Sequence, residues 1–216
     1  LFFALLVPLL VLMKEDPELE LSFAQVGLLR TAHAGASAVL QVPFGFMAES
    51  VGEFWLLLGG NVWVAAGFLA MAAASSFPLL LSATLVGGLG GATQHPLASS
   101  LVSRVYDDSG RSTAVGTVNF AGDLGKLIAP AMSWAIAVSW GWRPTMRVVG
   151  LAGIAFMAVS VFARKSVAAG RPPRVKSSAA NRIGDSPNMG GFVNLSAIGF
   201  MDDTTRAAAL PFVPFL

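Results

Sequence analysis

The sequence contains no cysteine, two histidines and one tyrosine among 216 residues, and only 12% of it is charged. Without cysteine there are no disulfides, thiolate metal sites or thiol nucleophiles. His33 and His95 are the whole supply of imidazole, and no HExxH, GxSxG or zinc-ligand spacing occurs. These absences leave an expectation of no enzyme, no metal and no cofactor. A net charge of +2 is too small for a nucleic-acid-binding surface. Gly87, Gly88, Gly90 and Gly91 do not make a phosphate loop, because they lie in an apolar span with no Lys-Ser/Thr after them. Close helix packing is the reading they support.

What remains is hydrophobic. Apolar residues are 55% of the chain and its mean hydropathy is +0.68, well above the composition of soluble domains. Five apolar stretches predict membrane helices at about Phe23 to Ala48, Trp55 to Ala74, Leu79 to Val105, Thr113 to Val138 and Thr145 to Ala163. A helix of about 20 apolar residues crosses a hydrocarbon core of ~30 Å and satisfies its own backbone there. Leu1 to Met13 spans only about 20 Å as a helix and reads as the end of a truncated first helix. An apolar run opening near Gly191 and still continuing at Leu216 reads as the start of a seventh, so the chain reads as a fragment. The expected organisation is an all-α polytopic bundle over residues 1–163, a basic linker over 164–190 and the beginning of a second bundle over 191–216.

Lys and Arg in alternate connections are unevenly shared. Arg104, Arg111, Arg164, Lys165, Arg171, Arg174, Lys176 and Arg182 fall on one side, against Lys14 and Arg143 on the other. The positive-inside rule puts the 164–190 linker in the cytoplasm and the acidic loop from Lys14 to Glu20 outside. This topology fits a cell (inner) membrane protein, with Trp134, Trp140 and Trp142 at the outer interface.

Polar groups inside a span cost roughly 2.5 to 3.5 kcal/mol at a helix centre and so need a partner, water or a function. Arg30, His33, Ser37 and Gln41 follow helical spacing on one stripe of the second helix. On the fifth, Asn119, Asp123 and Lys126 form another stripe. Asp123 and Lys126 are three residues apart and can pair, either as a structural ion pair or as a coupling group. Gly122, Gly125 and Ala129 lie around the helix from them, on a face suited to tight packing. Asp202, Asp203 and Arg206 either lie within the last helix or cap one that starts there. His95 before Pro96 marks a local break in the fourth helix, and the histidine is either structural or functional.

Two motifs resemble those of the major facilitator superfamily of secondary transporters. The antiporter pattern G-x8-G-x3-G-P-x2-G-G is matched by Gly116, Gly125 and Pro130, with Ala129 before the proline and Ser133 and Trp134 in place of the last glycines. The loop pattern G-x-L-A-D-x-x-G-R-R is represented by Gly45, Met47, Ala48, Glu49 and Gly52, with Glu53 and Phe54 where the arginines would be. Gly141-Trp142-Arg143 and the segment from Thr205 to Phe215 resemble the fosmidomycin-resistance-like exporter branch.

The resemblance implies two six-helix bundles rocking around a midplane site, with helices one, four and seven lining the cavity. That nominates His95, Asp202, Asp203 and Arg206 for substrate or proton coupling, beside Arg30, His33, Gln41, Asn119, Asp123 and Lys126 from the residues themselves. Gly45, Glu49, Gly52, Gly116, Gly122, Gly125 and Pro130 would serve gating and packing. The expected partners are the lipid bilayer, a small-molecule substrate, protons and the missing C-terminal bundle. Proton-linked transport of a small organic molecule, with export favoured, is the leading expectation. An organic-anion importer using Arg30, Lys126 and Arg206, a non-transporting receptor or scaffold, and an intramembrane aspartyl enzyme on Asp123 and Asp202 are the alternatives.

Overall fold

A computed structural model describes residues 2–94, 97–98, 101 and 108–168. Every element among them is an α-helix. They are α1 (Phe2–Lys14), α2 (Phe23–Val39), α3 (Gln41–Val51), α4 (Glu53–Ala72), α5 (Phe77–Gly91), α6 (Asp108–Trp140) and α7 (Trp142–Ala168). The chain divides into units at residues 1–170 and 171–216, and these helices belong to the first.

Local chemistry sets the helix ends. Ser22 caps α2 through a reciprocal box, in which its Oγ accepts from the Gln25 amide at 3.2 Å and Gln25 Oε1 accepts from the Ser22 amide at 2.8 Å. Pro78 stands in the first turn of α5, where its missing N–H costs nothing. Gly52 (φ 92°) joins α3 to α4, and Gly141 (φ 87°) joins α6 to α7. Each interrupts the helical path for one residue, through a backbone conformation that side chains other than glycine resist.

Helix limits differ from the sequence expectation at several places. The helix expected over Leu79 to Val105 ends at Gly91, with a turn at Ala92 and Thr93, and the one expected over Thr113 to Val138 runs from Asp108 to Trp140. The helix expected over Phe23 to Ala48 is broken at Leu40 (φ −93°, ψ 0°), whose amide turns back to the Ala38 carbonyl. Pro43 explains the break, since it has no N–H for the Val39 carbonyl and its ring crowds that turn. The last helix begins at Trp142 rather than Thr145 and runs on to Ala168 rather than Ala163.

Packing follows a repeat. Counting α2 and α3 as one segment, the helices fall into two sets of three, α1 to α4 and α5 to α7. The α2 contact with α5 corresponds to the α6 contact with α1, the α3 contact with α4 to that of α6 with α7, and α4 meets α7. Exchanging the two sets maps these contacts onto one another, but α1 also packs on α2 without a counterpart of like extent between α5 and α6 among the described residues, and the broad α4–α5 contact corresponds to a slight one between α1 and α7. The core lies among Leu6, Leu9 and Met13 of α1, Leu29 of α2, Val64, Phe68 and Met71 of α4, and Met146 of α7. Large apolar side chains also cover the outside, including Phe120, Leu127, Phe156 and Phe162. Among the described residues, Glu53–Ala72 and Trp142–Phe162 are long and apolar enough to cross a membrane by length and composition.

Candidate functional site

The interior is organised around α5, which presents glycines to two neighbours. A Cβ on Gly67 of α4 would overlap Gly87 of α5, and one on Gly90 would lie 2.7 Å from the Gly60 carbonyl oxygen. On the other side, a Cβ on Gly88 would lie 2.7 Å from the His33 carbonyl oxygen. Ser37 Oγ donates to the Gly88 carbonyl at 2.7 Å. These contacts bring main chains together at distances that only missing side chains permit. The packing role expected of Gly87, Gly88, Gly90 and Gly91 is therefore what the structure displays.

The α2 stripe is divided by this arrangement. His33 is 3% exposed against α5, Ser37 is bonded to it and Arg30 is half-buried. Gln41 is exposed and lies beyond the break at Leu40, so it does not continue the helix that carries the other three.

Beyond α5, Gln94 Nε2 donates to Asn61 Oδ1 at 3.0 Å, and Asn61 Nδ2 donates to the Leu57 carbonyl at 2.7 Å. This amide pair fastens the residue just before His95 to α4. It was not singled out in the sequence, although a lone asparagine in the apolar run of α4 was the available signal. His95, Asp202, Asp203 and Arg206 lie outside the described residues.

On α6, Lys126 Nζ donates to Asp123 Oδ1 at 2.9 Å. Their side chains are 49% and 70% exposed, respectively, and Asn119 is exposed as well. Gly116 and Gly122 have nothing within 4 Å of where a Cβ would stand, while Gly125 and Ala129 on the face expected to pack are half-buried, Ala129 against the core. Pro130 lies within α6 and is half-buried. Gly45 and Glu49 are exposed on α3, next to Gly52 at its end.

A third polar cluster closes one end of the bundle. Arg143 donates to Glu18 Oε2 at 3.0 Å and to the Ala74 carbonyl, and its Nε lies 3.6 Å from Asp16 Oδ2. Trp142 Nε1 donates to the same Asp16 oxygen at 2.6 Å. The connections after α1, α4 and α6 are thereby knotted together at one end, as an up-and-down path requires. Trp140 is exposed but Trp142 is 5% exposed. Trp142 is thus turned inward onto a carboxylate of the Lys14 to Glu20 loop, at the end where the outer interface is expected.

The family model for the Major Facilitator Superfamily matches residues 1–214. The chain belongs to the Major Facilitator Superfamily. Among similar proteins of this transporter family is the fosmidomycin resistance protein of Escherichia coli (strain K12), 27% identical over 57% of this chain and 30% of that protein. The MFS-type transporter ppzB of Metarhizium majus (strain ARSEF 297) is 31% identical over 54% of the chain and 25% of its own length. A Staphylococcus carnosus (strain TM300) protein named "Probable nitrate transporter NarT" is 22% identical over 74% and 40%, respectively. The chain thus matches less than half the length of each of these relatives. Membership places it in a membrane and among transporters, not enzymes.

Proposed function

We propose that these residues form the N-terminal bundle of a multi-pass secondary transporter that couples movement of a small organic molecule to protons. The observation that carries this reading is α6. Asn119, Asp123 and Lys126 stand exposed on a helix otherwise coated with Phe120, Leu127 and Ile128. Lipid cannot solvate such a stripe, whereas a second bundle or a water-filled cavity can. Residues 1–163 then form the first bundle, 164–190 a cytoplasmic linker and 191–216 the start of the second, in an inner membrane.

Within that frame, Asp123 is the described carboxylate best placed to load a proton, since closure of the two bundles would desolvate it. Asp202, Asp203, Arg206 and His95 complete the set by family resemblance. Export is favoured by the name of the fosmidomycin resistance protein. A second reading, anion import using Arg30, Lys126 and Arg206 as charge partners, draws on the similarity to the protein named for nitrate. The two separate in proteoliposomes holding the complete gene product. An inward-acid pH gradient should drive substrate accumulation under the first reading, and Asp202→Asn or Asp203→Asn should abolish accumulation while leaving binding intact. Gradient-independent flux, unchanged in both variants, would overturn proton coupling.

A further inference from the structure

Helices α4 and α7 lie against each other, and both contain a described segment long and apolar enough to cross a membrane. One cation interrupts the outer surface of this pair. Arg147 is exposed in the second turn of α7, on a helix whose Val148, Leu151 and Phe156 are 43%, 59% and 66% exposed. No hydrogen bond or ion pair joins Arg147 to another described residue. A guanidinium facing hydrocarbon is costly, so it needs an anion or water.

The contacts of α7 with α4 fix where Arg147 projects. Arg143 donates to the Ala74 carbonyl, and a Cβ on Gly150 would lie 2.9 Å from the Ala65 carbonyl oxygen, so these two residues mark the line on which the helices meet. Arg147 stands about 40° round the helix from Arg143 and therefore beside that line. The core occupies one flank of it, where Phe68 of α4 and Met146 of α7 are 0% exposed. Arg147 lies on the other flank, together with Ala66, Ala70 and Ala73, which are exposed along α4. Alanine side chains are too short to fill the crevice between the helices at this place. Arg147 follows Trp142 by about 7.5 Å along the helix, near enough to its end for the long side chain to reach the headgroup layer.

We propose that Arg147 and the outer crevice between α4 and α7 bind a membrane phospholipid, the guanidinium holding its phosphate and Ala66, Ala70 and Ala73 receiving an acyl chain. A phosphate diester accepts the parallel hydrogen bonds that a guanidinium offers, and the apolar crevice continues from that point into the membrane. A phospholipid presents these two chemistries in the same order, from the interface inward. The site rests on the membrane placement that family membership gives, and not on proton coupling.

Native mass spectrometry of the complete gene product, released from detergent in the presence of phosphatidylglycerol, tests this by counting retained lipid. Arg147→Gln should weaken retention about fivefold, the effect of one basic residue near a membrane surface, and Arg147→Lys should fall between. Diacylglycerol with the same chains should be retained no better by the wild type than by Arg147→Gln. Ala70→Phe fills the crevice from an exposed position and should also weaken phosphatidylglycerol retention with Arg147 in place, which keeps the test open if Arg147→Gln does not fold. Retention unchanged by either substitution would overturn the site. Displacement of the lipid by an excess of inorganic phosphate would overturn it as well, since Arg147 would then be holding a free anion without help from the crevice.

Discussion

Helices α5 and α6 are both rich in small residues, yet one is enclosed and the other open. On α5 the glycines meet the main chains of α2 and α4 so closely that a single methyl group would overlap them. On α6, Gly116 and Gly122 face empty space, and a charged pair stands exposed beside them. The contrast separates contacts the bundle completes by itself from those it offers to something else. Small residues therefore mark where a helix can be approached, and the rest of the fold decides whether it is.

The comparison can be broken most forcefully at the seam. Gly67→Leu should be the most damaging change, because the side chain meets the Gly87 main chain and no rotamer avoids it. Overpacking of this kind costs about 3 kcal/mol or more, and the variant should lose its monodisperse peak in detergent. A folded Gly67→Leu protein would mean that the seam is not closely packed in the membrane.

At the knotted end, Arg143→Ala removes the cation facing Asp16 and Glu18 and the side-chain donor to the Ala74 carbonyl, leaving Asp16 with only its neutral donors, among them Trp142 Nε1. The expected loss is about 1.5 to 3 kcal/mol in urea unfolding, the range for hydrogen bonds to charged groups. Arg143→Lys should recover only part of it, since an ammonium cannot reach three partners in the planar arrangement of a guanidinium.

The exposed pair on α6 should behave differently from either. Asp123→Asn alone leaves a lysine without its carboxylate and should lower the yield of folded protein in membranes. Asp123→Asn with Lys126→Met removes both charges and should restore it. Restored yield with lost proton-driven accumulation would mark the pair as functional, and equal yields for the single and double variants would remove the case for a desolvated site. The smallest effect belongs to Gly122→Ala, which meets nothing in the bundle and should shift stability by no more than about 1 kcal/mol, in the stabilising direction expected of alanine in a helix. A large loss there would show that α6 is covered as tightly as α5.

How much of this was legible follows from the range over which each signal acts. The apolar runs, the packing role of Gly87 to Gly91 and the pairing of Asp123 with Lys126 are properties of one helix, and periodicity conveys them. Pro43 was visible as well, but its span was long and apolar enough to read as one helix, and the break is set by the two missing ladder bonds around it. The Arg143 knot escaped because Arg143 and its acidic partner Glu18 are 125 positions apart. Nothing in a local window tells Trp142 that Asp16 lies beneath it instead of the lipid interface. The Asn61 to Gln94 bond is hidden for the same reason, and it matters because it secures the approach to His95.

The meeting of Gly67 with Gly87 has a consequence for conformational entropy. Glycine gives up much backbone freedom when it becomes helical, but in a bilayer the helix exists before its neighbours arrive, because lipid leaves its backbone no other partner. When two such helices then come together, neither glycine has a rotamer to freeze. The dispersion gained along the seam is opposed by almost no side-chain ordering at that crossing, whereas a leucine or methionine contact of equal area would surrender part of its gain to immobilised side chains. An assembly fastened in this way can hold two helices rigidly through repeated movement of the parts around them.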